Sequence, residues 1–151
     1  MKVDKDQKQE QLAQEYMQLQ KTVEEFDGKA LTIKAWSVTL SAAGVVAAYV
    51  ESKQEVLLVA AASAIIFWLV EALWKTNQNA FYSRLYENEE AFQGKTEGVL
   101  PFQIAHSWSR SWRAGRKERK MLQVMAWPHV FLPHVVVAAG GMVLYFLLPP
   151  T

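Results

Sequence analysis

No cysteine occurs among the 151 residues, which excludes disulfides, thiolate catalysis and cysteine-type zinc sites. No Gly/Ser linker, low-complexity tract or internal repeat is present either. Catalytic fingerprints are also missing. There is no Walker loop, no G-x-G-x-x-G, no H-E-x-x-H and no G-x-S-x-G, so no enzyme is expected. The opening MKVDKDQKQEQLAQ is polar and charged, and no cleavable leader is expected there. The shortage that decides most is local. A net charge of +1 and a mean hydropathy of −0.03 describe an ordinary soluble chain, but they average over two unlike kinds of segment. Charge almost vanishes from three long windows and crowds between them.

The windows are LTIKAWSVTLSAAGVVAAYV (31–50), VLLVAAASAIIFWLVEALW (56–74) and WPHVFLPHVVVAAGGMVLYFLL (127–148), with lengths of 20, 19 and 22 residues. Lys34 is the only charge in the first, Glu71 the only one in the second, and the third has no Asp, Glu, Lys or Arg. A helix needs about 20 residues to cross a hydrocarbon core. Three buried helices of this kind in a soluble protein would leave too little polar chain to cover them. The expected fold is therefore all-α: an integral membrane protein with three transmembrane helices and a cytoplasmic helical bundle. Six Lys and Arg precede or include Lys34, one lies in ESKQE (51–55), nine fall between 75 and 123, and none follows Trp127. The positive-inside rule then places residues 1–30 and the basic 75–123 region in the cytoplasm and the C-terminus outside. Trp36, Trp74 and Trp127 fall at the inner boundary, and Tyr49 and Tyr145 at the outer one.

Leu12, Tyr16, Leu19, Val23 and Phe26 recur at spacings of 4, 3, 4 and 3. This stripe fits either a short coiled coil or an amphipathic helix packed on the chain's own second cytoplasmic helix. Asp27-Gly28 reads as a break or swivel before the membrane helix, because glycine costs about 1 kcal/mol inside a helix. Past the second window, Phe81, Leu85 and Phe92 continue an apolar pattern, predicting one long helix that runs on into the cytoplasm. A loop at 94–101 and a further helix over roughly 102–120 follow.

In lipid, small residues and polar contacts drive helix packing. Ser37, Ser41, Gly44 and Ala48 form one small face of the first span, and Ala60 and Ala64 one of the second. Both serve equally for contacts within a chain or between chains. Glu71 has two readings: an interfacial ion pair with Lys75 at i+4, or a pore-lining or helix-bridging role. His129 and His134 each follow a proline and stand five apart. That spacing puts them on different faces and argues against a metal. Two readings are open for them: satisfaction of local carbonyls at a kinked helix entry, or a pH-sensitive gate. Glu87, Glu89 and Glu90 read as a solvated face. No cofactor or metal is implied.

The stretch WSRSWRAGRKERK combines Trp108 and Trp112 with Arg110, Arg113, Arg116, Lys117, Arg119 and Lys120. Basic and aromatic residues together also suit nucleic acid. Its end, seven residues before Trp127, favours a membrane-surface anchor on anionic headgroups over RNA or DNA.

The order of an amphipathic helix, a tight two-span hairpin and an aromatic helical extension resembles the SLATT-type membrane effectors of bacterial conflict systems. Leu12 to Phe92, around FWLVEALWKTNQNAFYSRLYENEEAF, carries the likeness. The third span departs from the two-span pattern. The resemblance implies an inner-membrane homo-oligomer that opens a pore in phage defence when a cytoplasmic partner senses infection. The expected function is thus a pore-forming or membrane-perturbing effector. The alternative is a non-conducting scaffold or accessory subunit that docks a cytoplasmic partner.

Overall fold

The computed structural model describes residues 5–96, 98–118 and 120–150. These contain five helices and no strand: α1 (Lys5–Val50), α2 (Glu55–Phe92), α3 (Ile104–Lys117), α4 (Lys120–Met125) and α5 (Pro128–Leu147). The all-α expectation holds. Helices α1, α2 and α5 are each long and apolar enough to cross a membrane.

The first proline in the chain is Pro101, so nothing sterically breaks α1 or α2. The break expected at Asp27-Gly28 is absent, and α1 passes through both residues. One glycine costs about 1 kcal/mol, and good helix formers on either side outweigh it. Each long helix stops at a residue with a left-handed backbone, Ser52 at φ 52° and Gly94 at φ 69°. In each case the next amide reaches five residues back, Lys53 N–H to the Ala48 carbonyl and Lys95 N–H to the Glu90 carbonyl, both at 2.9 Å. These are Schellman caps, which satisfy the last carbonyls of a helix. Trp127 is extended because Pro128 follows it, and that proline opens α5 at its first helical position, where no amide donor is needed.

The chain divides into two units. The first holds Lys29–Trp74 together with Met121 and the described residues after it. Its interior is built on small side chains. Ser37, Ser41 and Ala48 of α1 are buried, as are Ala60, Ala61 and Ala64 of α2 and Gly141 of α5. A Cβ on Gly44 would lie 2.9 Å from the Ala60 Cβ, and one on Gly141 would lie 3.2 Å from the Ala61 Cβ. The small faces of the two spans therefore close the α1–α2 hairpin within this chain, and Ala61 and Gly141 bring α5 against α2. Trp68, Ala72, Val124, Met125, Trp127 and Val130 form an apolar cluster, with the Trp68 indole donating to the Met125 carbonyl at 3.1 Å.

The second unit holds Gly28 and the described residues before it, with Lys75–Lys120. Here the 4-3-4-3 stripe of α1 meets α2 of the same chain. Leu19, Val23 and Leu85 form the core, with Tyr16, Phe81, Tyr82 and Ile104 packed around it. Of the two readings of that stripe, the intrachain packing is the one the structure realises. The Gln78 side chain donates to the Val23 carbonyl at 2.9 Å.

The small-residue contact makes a contrast between two glycines. Gly44→Ala drives a methyl into the rigid Ala60 Cβ and is expected to lower stability by about 1–3 kcal/mol. Gly140→Ala meets nothing within 4 Å and should leave stability level or slightly raised. Thermal unfolding of the two variants in one detergent checks the pair.

Candidate functional site

Three ionisable side chains of the apolar helices, Lys34, Glu71 and His134, converge with Ser37 in the first unit. Glu71 on α2 is fully buried, and His134 on α5 and Ser37 on α1 are each 1% exposed. One Glu71 carboxylate oxygen takes the Lys34 ammonium of α1. The other lies 2.9 Å from His134 Nε2. His134 Nδ1 in turn lies 2.8 Å from Ser37 Oγ. Glu71 is therefore a three-helix bridge. The interfacial pair with Lys75 does not form, because the Lys75 ammonium goes to Asp27 and Gln78 instead. The lone charges of the first two windows pair with each other, while Lys75 is taken by Asp27 and Gln78.

The chemistry of the chain Lys34–Glu71–His134–Ser37 follows from its donors and acceptors. An ionised carboxylate only accepts, so His134 Nε2 carries a proton toward Glu71. In the neutral ring Nδ1 accepts from the Ser37 hydroxyl. In the imidazolium Nδ1 donates, and the same hydroxyl turns to accept. The order Ser37–His134–Glu71 is also that of a hydrolase triad. At 1% exposure, however, Ser37 leaves no side open to an acyl group. The expectation that His134 satisfies local carbonyls gives way to these side-chain bonds. His129 is exposed beside the Trp127 ring, with centroids 5.4 Å apart. Among the described residues, no three His, Asp or Glu groups are placed to hold a metal.

Ser41 and Ser63 extend the polar stripe. Both donate to the Ala60 carbonyl, at 3.0 and 2.7 Å. The Ala60 carbonyl thus serves Ser41 across the helix contact and Ser63 within its own helix.

The second unit holds a polar node that sequence reasoning missed. Arg84 of α2 and Glu15 of α1 are paired at 2.6 Å with side chains 3% and 1% exposed. Arg84 also donates to Glu87 at 3.0 Å and to the Leu100 carbonyl at 2.7 Å. Glu15 accepts the Phe102 amide at 2.5 Å, where Phe102 adopts φ 64°. Burial pulls the Arg84 pKa down. Hydrogen bonds to Glu15 and Glu87, and their charges, outweigh it and hold the guanidinium above its ordinary value. The signal for this node was the position of Glu15 beside Tyr16 on the apolar stripe, where interhelical ion pairs form.

Glu87 and Glu89 are not merely solvated, contrary to the expectation for that face. Glu87 joins Arg84 and Arg110, and Glu89 accepts from the Tyr16 phenol at 2.9 Å. The proposed anchor stretch is divided in its contacts. Trp108 packs on Phe81 of α2, donates to the Asn77 carbonyl at 3.3 Å, and stacks on Trp112 with centroids 5.6 Å apart. Arg113, Arg116 and Lys117 are exposed, while Lys120 contacts Glu118 at 3.3 Å. Arg119 lies outside the described residues.

Comparison with family models, with curated proteins and with solved structures finds no match for this chain.

The Glu71 node makes a non-additive prediction. Glu71→Leu alone strands the Lys34 and His134 donors and should lower stability by about 3–5 kcal/mol. Replacing all three (Lys34→Met, Glu71→Leu, His134→Leu) removes the stranded groups and should recover most of that loss. Unfolding of single and triple variants in detergent is the measurement, and equal losses in both would contradict the bridge.

Proposed function

We propose that the chain is an integral protein of the bacterial inner membrane, with its N-terminus and the 75–123 region in the cytoplasm. Its three apolar helices form a non-conducting anchor, and its remaining helices dock a soluble partner. One observation carries this reading. Lys34, Ser37, Ser41, Ser63, Glu71 and His134 all direct hydrogen bonds to groups within their own unit, while Val38, Val46, Val59, Ile66, Val136 and Val143 are exposed. A pore assembled from such subunits would be lined by aliphatic side chains, which do not replace the hydration of an ion.

A second reading, the pore-forming effector, draws on a different observation. Apolar residues would hold three helices together without the desolvation penalty of a buried Lys–Glu–His set. Intramembrane ionisable groups are functional candidates for that reason. In this reading Glu71 releases Lys34 and His134, the helices part, and further copies of the chain complete a conduit. The layout shared with SLATT-type effectors supports it.

Purified protein in vesicles loaded with a self-quenched dye separates the two. The anchor reading expects release no faster than from empty vesicles, together with recovery of a stoichiometric soluble protein on crosslinked purification from cells. Release that Glu71→Gln abolishes or makes constitutive would overturn the anchor and establish the pore.

A further inference from the structure

The second unit carries a groove that neither node uses. It has a volume of about 280 Å³ and lies between α1 and α2, lined by Tyr16, Gln20, Val23, Glu24, Tyr82, Leu85, Tyr86 and Glu89. Its composition is one-sided. Three phenol rings and two carboxylates face it, and among the described residues no lysine, arginine or histidine lines it. The Tyr82 and Tyr86 rings stand 6.3 Å apart at an interplanar angle of 31°, forming an open wedge. Tyr86 is 59% exposed, a large aromatic held at the surface. Tyr16 donates to one Glu89 oxygen and receives a hydrogen bond from Gln20 at 2.9 Å, which fixes both the ring and the carboxylate.

These features select a ligand class. Ring faces and carboxylates both present negative potential, so anions are excluded. A small metal ion needs a shell of several oxygens, whereas the walls here are largely ring carbon. An organic ammonium ion satisfies both kinds of wall, since its charge meets the ring faces and carboxylates while its carbon covers apolar surface. Tyr16 and Tyr82 stay neutral. The bond to Glu89, then burial and the Glu89 charge, raise the Tyr16 pKa; burial, then Asp27 and Tyr86, raise that of Tyr82.

We propose that this groove binds an alkylammonium group, with Tyr16, Tyr82 and Tyr86 as the aromatic walls and Glu24 and Glu89 as the counter-charges. The proposal goes beyond the anchor reading and does not depend on it. The ammonium group arrives either on a free small molecule or on a lysine side chain of a partner protein, and the two sources can be told apart.

The test uses the five tyrosines of the chain as reporters. The full chain, with ¹³C-labelled tyrosine, is held in maltoside micelles, whose headgroups carry no ammonium. It is titrated with choline in one arm and with an acetylated Gly-Lys-Gly amide in the other. Sodium chloride at equal ionic strength and 3,3-dimethylbutanol, the neutral shape of choline, are controls. Ring signals of Tyr16, Tyr82 and Tyr86 should move in at least one arm, while Tyr49 and Tyr145 of the other unit stay in place. A response to choline identifies a free quaternary ligand, and a response to the peptide alone identifies a lysine of a partner. Tyr86→Leu should weaken binding at least about threefold and Tyr86→Phe should retain it, because the ring face does the binding. Glu89→Gln should also weaken it. Tyr86 is exposed, so neither change at that position threatens the fold. No ring response in either arm, movement of all five tyrosines together, or an equal response to the neutral alcohol overturns the proposal.

Discussion

A carboxylate buried among apolar helices must find its hydrogen-bond partners inside the protein, because burial removes it from water. Glu71 meets that constraint with one partner from each neighbouring helix, and the rest of its unit follows from the arrangement. Lys34 sets the register of α1 on α2, and His134 sets the rotation of α5. Ser37 completes the chain by satisfying the far nitrogen of the ring. Close backbone approach is then required to bring these short polar reaches together. The Gly44–Ala60 and Gly141–Ala61 contacts supply it. Small residues and buried polar groups are thus two halves of one packing solution in this unit.

The unit built from Lys75–Lys120 and the described residues up to Gly28 applies a different balance. Its apolar stripe buries Leu19, Val23 and Leu85 in the manner of a water-soluble helix pair. Its polar node, Arg84 with Glu15 and Glu87, does not hold helices alone. It also fixes the backbone at Leu100 and Phe102 through a carbonyl and an amide. A guanidinium suits this role because its planar fork donates in several directions at once. Phe102 keeps a left-handed backbone that a bulky residue rarely adopts, held there by its amide bond to a buried carboxylate. The groove beside this node is acidic and aromatic, whereas α3 exposes Arg113, Arg116 and Lys117. One unit therefore offers both an acidic, ring-lined recess and a basic helix face.

Much of the fold was legible in the residues. The three charge-poor windows, the long α2 that continues past Trp74, and the stop at Gly94 all follow from composition and turn chemistry. The Lys34–Glu71 pair was legible too, though only through the hairpin. The two residues stand equally far from a turn centred between Ser52 and Lys53, so an antiparallel pair of helices brings them level. Reading Glu71 by helix spacing alone pointed to Lys75, because i+4 rules see one helix and the competing partner lay on another. Asp27-Gly28 misled for a similar reason. A local glycine penalty of about 1 kcal/mol is small beside the packing of a long helix on both sides of it.

The sequence by itself determined an all-helical chain with three segments able to cross a membrane, since the length of an apolar run and the absence of charge are one-dimensional properties. It also determined which faces are small and which residues are polar enough to need partners. Only the tertiary structure decided who those partners are. His134 with Glu71 and Ser37, Arg84 with Glu15, and the tyrosines that wall the groove each join helices far apart in the chain. Their meeting depends on register and rotation between helices, which side-chain volumes at many contacts set together and no single stretch of sequence encodes.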